Sequence, residues 1–154
     1  MVQDVGSGHP AHLGKLGITP TRAANLRKLA DYLLTLPAEY PDFDMDSYVI
    51  GESSGDRAHV AVCGTAACAA GHGPNAGVPP LPDETWEVYT DRAFVDDAEP
   101  WSWCFSAMWV DVDNTAHGAA KRILWLLEKG VPDNANRQQW GRDPLCYLAE
   151  QASA

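Results

Sequence analysis

Four side chains of this sequence, His59, Cys63, Cys68 and His72, are of the types that hold zinc. Two thiolates and two imidazoles complete a closed tetrahedral structural site. Their spacing departs from a zinc knuckle, whose paired Cys sit close together on one tight turn. If Cys63 and Cys68 both lie on a helix, they point to different faces. The competing reading for all four is packing: the Cys as small buried hydrophobes, the His as surface or loop residues.

Cys63 also suits a nucleophile, because it falls between an expected strand and an expected helix start. Amide N–H groups and the helix dipole lower a thiol pKa at such a place. The base would be His117 or His72, oriented by an acid such as Asp113. Papain-like peptidases and amidases use this strand-to-helix placement, but draw their His from a later strand, whereas His117 falls in what reads as a first helical turn. Cys63 and Cys68 do not have the Cys-x-x-Cys spacing of a redox pair. Cys104 and Cys146 lie among apolar residues and read as core.

Trp101, Trp103 and Trp109 can line a ligand pocket or an interface, or else fill the core. Near-helical spacing of large aromatics favours the core. The Gly51 and Gly71 turns lack the Lys-Thr and the strand–loop–helix frame of a phosphate loop. The Asp111–Asn114 oxygens end before an EF-hand would.

These residues need elements to position them. Thr19-Pro20 starts a helix by cap and early Pro. Leu26, Leu29, Leu33 and Leu36 form its apolar stripe, with Arg22, Asn25, Arg27, Lys28 and Asp31 on its other faces, and Pro37 ends it. Residues 37–47 are an acidic connection. The runs 47–50 and 58–62 flank a turn and read as a small β-hairpin. The Ala-rich stretch 64–71 reads as a short helix stopped by Gly71, Gly73 and Pro74. Residues 74–85 are a Pro- and Gly-rich loop, and 86–94 fits either a helix or a strand. Pro100 to Trp109 reads as a buried turn or two of helix. Asn114 or Thr115 caps a helix over 115–129, whose stripe is Ala116, Ala119, Ala120, Ile123, Leu126 and Leu127 and whose stop is Gly130. A final short helix is expected over 143–151. Residues 1–19, rich in Gly, read as a flexible N-terminal arm.

The chain has 154 residues, 45% apolar, enough for one core without staples. Its six Trp cluster late, so much of that core is expected in the C-terminal half. A net charge of −10 argues against nucleic acid and anionic membrane surfaces as partners. The start of the sequence carries no basic run followed by an apolar one, and no stretch is apolar enough to span a bilayer. Four Cys in a chain of this size do not suggest a disulfide scaffold. A cytoplasmic protein with reduced thiols is therefore expected, in a host cytoplasm if phage-encoded.

The motif Cys63-Gly-Thr-Ala-Ala-Cys68-Ala-Ala-Gly71, with Asn25–Leu33, Phe43-Asp-Met45, Trp103-Cys-Phe105 and Asn114–Ile123, resembles a set of small bacterial and phage proteins that share a Cys-Gly-Thr-x-x-Cys-x-x-Gly core and have no established activity. The resemblance covers roughly residues 20–130. It implies a single-domain accessory protein and assigns no residue a role.

The fold expected is mainly α (α+β): one compact domain over 20–154, of four to five helices with a small β-hairpin. The function expected is non-enzymatic. The chain would bind a host protein, a second copy of itself or a small ligand, in host takeover or counter-defence. A Cys63 hydrolase, a small structural zinc domain and a virion component are the alternatives.

Overall fold

A computed structural model describes residues 10–37, 41–45, 49, 51–60, 66–106, 109 and 114–131. Its helices are α1 (Ala11–Lys15), α2 (Pro20–Thr35), α3 (Trp86–Ala93), α4 (Ala98–Phe105) and α5 (Ala116–Lys129), with a 3-10 turn at Ala70–His72. The fold is mainly helical. Its backbone is the packing of α2 along α5; α4 leans on α5, and α3 on α2.

The two long helices form where cap and stripe demand them. The Thr19 hydroxyl accepts from Arg22 N at 3.2 Å with Pro20 in the first turn of α2, and the Thr115 hydroxyl accepts from Gly118 N at 2.9 Å at the start of α5. Leu26, Leu29 and Leu33 of α2 and Ala119, Ile123 and Leu126 of α5 are fully buried. Small Ala119 and Ala120 on α5 allow close approach to the larger Leu face of α2. Gly130 ends α5 at φ +82°, and its N–H bonds Leu126 O at 2.9 Å. The ambiguous stretch 86–94 is helical as α3, with the Thr85 hydroxyl accepting from Val88 N at 3.3 Å.

Two expectations change and a third is not shown. The first concerns residues 1–19: from Pro10 on, the stretch is built into the fold. Gly17, at φ +75°, closes α1 with Gly17 N–Gly14 O and Ile18 N–Leu13 O bonds of 3.1 and 2.9 Å. Leu13 and Ile18, joined by that turn, both lie in the core. Two large apolar residues thus outweigh the loop character of the surrounding glycines.

The second is the Ala-rich helix over 64–71. Residues 66–69 are not helical, and Ala67 pairs with Phe43 in a parallel bridge, its N–H on Asp42 O and its C=O on Asp44 N, both at 2.9 Å. Helix propensity separates residues by only some tenths of a kcal/mol, about the weight of one net hydrogen bond, so two bonds and full burial decide against helix. Among the described residues of this stretch only Ala70–His72 winds, and it does so as a 3-10 turn. Residues 63–65 lie outside the described residues.

The third, the β-hairpin, is not shown among the described residues. Among the described residues the segment around Arg57 pairs with Thr85 in an antiparallel bridge, through Ala58 N–Glu84 O and Trp86 N–Asp56 O at 2.9 Å. The start of α3 is therefore its partner. Most of both hairpin runs, and the helix expected over 143–151, lie outside the described residues.

Candidate functional site

The 51–60 loop, α3 and α4 meet around an open groove of about 420 Å³, lined by Ser54, Glu87, Asp91, Asp96, Ala98 and Trp101. Helical spacing puts Glu87 and Asp91 on one face of α3, one turn apart. Burial together with the nearby charges of Glu87 and Asp96 pushes the Asp91 carboxyl up, with Arg22 pulling the other way. Three carboxylates thus concentrate negative potential on one wall, and the half-buried Trp101 adds an indole to it. Such a wall suits a cationic group carried on an apolar stem. Asp96 is partly engaged, at 3.3 Å from the Arg22 guanidinium.

The three Trp singled out from sequence divide. Trp103 and Trp109 are fully buried and pack edge to face, with centroids 5.4 Å apart. Trp103 Nε1–H donates to Arg122 O, and Trp109 Nε1–H to Trp103 O, each at 2.9 Å. The Arg122 guanidinium, itself fully buried, stands 4.2 Å over the Trp109 ring. These are core groups. Trp101 alone of the three reaches the groove.

The His and Cys set does not converge among the described residues. His59 lies on the 51–60 loop with its Nε2 2.8 Å from Glu52 Oε2 and its ring 5.7 Å from that of Trp86. Cys68 and His72 are buried at a different place, beneath the 41–45 segment. There His72 stacks on Phe43 at 5.8 Å and its Nε2 lies 3.1 Å from Asp42 O. Cys68 Sγ accepts a 3.4 Å bond from Gly71 N. Burial pushes the Cys68 thiol up to about 11, so it is held as the protonated, poor ligand and nucleophile. No group of three His, Cys, Asp or Glu side chains able to hold a metal forms among the described residues. His72, expected on the surface or in a loop, is a core residue, because an aromatic slot between Tyr32 and Phe43 takes its ring.

Cys63 and Asp113 lie outside the described residues, so the nucleophile reading is left with its bases. His117 Nε2–H donates to Leu36 O at 2.6 Å, joining the first turn of α5 to the end of α2. His72 is engaged as above. Asn114 does not cap α5. Its Oδ1 accepts from Met45 N at 2.7 Å and its Nδ2 donates to Asp44 Oδ1 at 3.1 Å, tying the 41–45 segment to that helix.

The groove carboxylates Glu87 and Asp91 were not legible as a site. Their signal was a like-charged pair one helical turn apart with no basic residue between its turns, and it becomes readable only once 86–93 is known to be helical. Among the described residues no helix is long and apolar enough to cross a membrane. Comparison of the chain with protein-family models, with curated proteins and with solved structures gave no match.

Proposed function

We propose that the protein is a non-enzymatic binding protein of the bacterial or phage accessory kind, and that its partner docks in the Glu87–Asp91–Trp101 groove. The observation that carries this reading is the groove itself: carboxylates at helical register beside a half-buried indole, on a chain of net charge −10. The partner class it fits is a host protein that presents a Lys or Arg side chain. A basic head meets the carboxylates while its methylene stem lies along the indole. The charge of a bound cation would also lower the Asp91 carboxyl, which burial and the charges of Glu87 and Asp96 raise. Host takeover or counter-defence is the role proposed for that binding.

The test is capture of bacterial proteins on immobilised wild-type protein beside E87Q/D91N and W101A. The reading expects a basic protein retained by wild type, released by raised salt, and lost from both variants, whose far-UV spectra match wild type. Equal capture by all three, or retention that salt does not weaken, overturns it.

A further inference from the structure

His59 faces two acceptors. Its Nδ1 lies 3.0 Å from Val60 O and its Nε2 lies 2.8 Å from Glu52 Oε2. A carbonyl and a carboxylate offer no hydrogen, so the ring must supply both protons. Only the imidazolium carries two N–H groups. The neutral ring leaves one lone pair pointing at an oxygen lone pair, and that contact becomes repulsive.

The other oxygen of the same Glu52 carboxylate, Oε1, accepts from Trp86 Nε1–H at 2.9 Å. Glu52 is thus the pivot between His59 and the first residue of α3. The loop is also joined to α3 by its backbone: Ser54 O accepts from Glu87 N at 3.1 Å and Asp56 O from Trp86 N at 2.9 Å. These are amides of the first helical turn, which have no partner within the helix. Ser54 is at once a wall of the groove and an acceptor for α3.

We propose that His59 is a proton-operated latch: as imidazolium it clamps the 51–60 loop, through Glu52, to the start of α3, and on losing its proton it loosens that wall of the groove. Glu52, from its own loop, is the charged group in contact with the imidazole; from α3 the contact is the uncharged indole of Trp86. Of the other charged groups on the loop and around α3, Arg57 pairs with Asp83 at 3.1 Å and Arg92 with Glu84 at 2.6 Å. Asp56 Oδ2 accepts from Ser53 N at 2.8 Å, and Glu87 lies in the groove wall. The hydrogen bond to Glu52, followed by that to Val60, holds the proton on His59 above the ordinary 6.5. The latch is a property of the loop and α3, and it stands whatever the groove binds.

Nitrogen-resolved NMR titration of the full chain tests it without a ligand. In wild type the His59 ring is expected to titrate above the ordinary 6.5, with the Trp86 indole N–H and the Glu87 amide moving at the same midpoint. In E52Q the His59 midpoint falls, and in H59Q the Trp86 indole signal no longer follows pH over that range. A wild-type His59 midpoint at or below the ordinary value, a Trp86 indole indifferent to that titration, or an unchanged His59 midpoint in E52Q overturns the latch. The wild-type titration decides even if a variant misfolds.

Discussion

At Cys68 and Cys104 burial outweighs what would stabilise a thiolate, the Gly71 N–H beside Cys68 and the Arg122 charge near Cys104. Both are buried, and burial lifts Cys68 to about 11 and Cys104 to about 12, from an ordinary 9.0. Such a rise cuts the thiolate fraction about a hundredfold or more at a given pH. Native protein treated with iodoacetamide near neutral pH is therefore expected to leave the peptides bearing Cys68 and Cys104 unmodified while a small free thiol is fully alkylated. In urea both become labelled. Mass mapping that finds Cys68 labelled in native protein at the rate of a free thiol removes its place in the core. The small residues around Cys68 have a steric reason of the same kind. A Cβ at Gly73 would run into the Tyr89 hydroxyl oxygen and stand 3.0 Å from Phe94 Cζ. Its backbone is ordinary right-handed helical, so Gly73 is there for space. Close packing by Gly and Ala was legible in the sequence; that they pack a buried turn instead of a helix was not.

Helix ends in this fold are closed by side chains from other helices. The C-terminal carbonyls of α3 have no partner in their own helix, and α2 supplies them. Arg22 donates to Asp91 O at 2.6 Å and to Arg92 O at 3.3 Å, and Asn25 Nδ2–H to Ala93 O at 2.9 Å. Arg22 also reaches Gly17 O at 2.7 Å, so one guanidinium joins the turn after α1, α2 and α3. His12 does the same for α5, its Nε2 lying 3.2 Å from Leu127 O. From sequence Arg22 and Asn25 fell on the faces away from the apolar stripe, as solvated residues. Nothing in a single sequence shows which distant carbonyls such a residue will meet. The ion pair with Asp96 is the lesser part of the Arg22 role, because Asp96 is 54% exposed and water screens it. Arg22→Ala is accordingly expected to cost about 1–3 kcal/mol, for carbonyls left without a charged donor. Asp96→Ala should cost under about 1 kcal/mol. Urea midpoints of the two variants check this, and equal losses would mean that the ion pair, not the capping, joins the helices.

For the molecule as a whole, His72, Glu84 and His59 are among the groups of shifted pKa that shape the dependence of stability on pH. Burial lowers His72 from 6.5, so below that pH the unfolded chain gains a proton that the folded one resists. Stability falls as pH falls from there towards the folded value. Glu84, paired with Arg92, is held below 4.5; its contribution is complete above that pH and is lost as pH drops through the folded value. His59 runs the other way. Its raised folded value makes its contribution complete below 6.5 and lost as pH rises through that value. Stability in wild type is thus expected to be greatest close to pH 6.5, where the two His limbs meet. Urea unfolding across pH should show H59Q without the decline that begins above 6.5, well below the 9.0 at which the buried thiols come in, and with the acid decline intact. If H59Q declines on the alkaline side as wild type does, Glu52 does not hold the His59 proton.

What the sequence determined by itself is local. Thr19-Pro20, Thr115, Gly130 and the Leu and Ala stripes define α2 and α5, because caps and a helical apolar period act within a few residues. The mainly helical class follows from them. What only the tertiary structure decided is every choice settled between distant segments. The partners of Ala67 and Arg57 are Phe43 and Thr85, and the first of these bridges stands where an Ala-rich helix was expected. Of three candidate Trp, two went inside and Trp101 stayed at the groove; the His and Cys set separated, and Glu87 and Asp91 came together with Trp101 instead. Residue type states what a side chain can do, but burial and a partner far along the chain decide whether it does it, and neither is written in the spacing of one sequence.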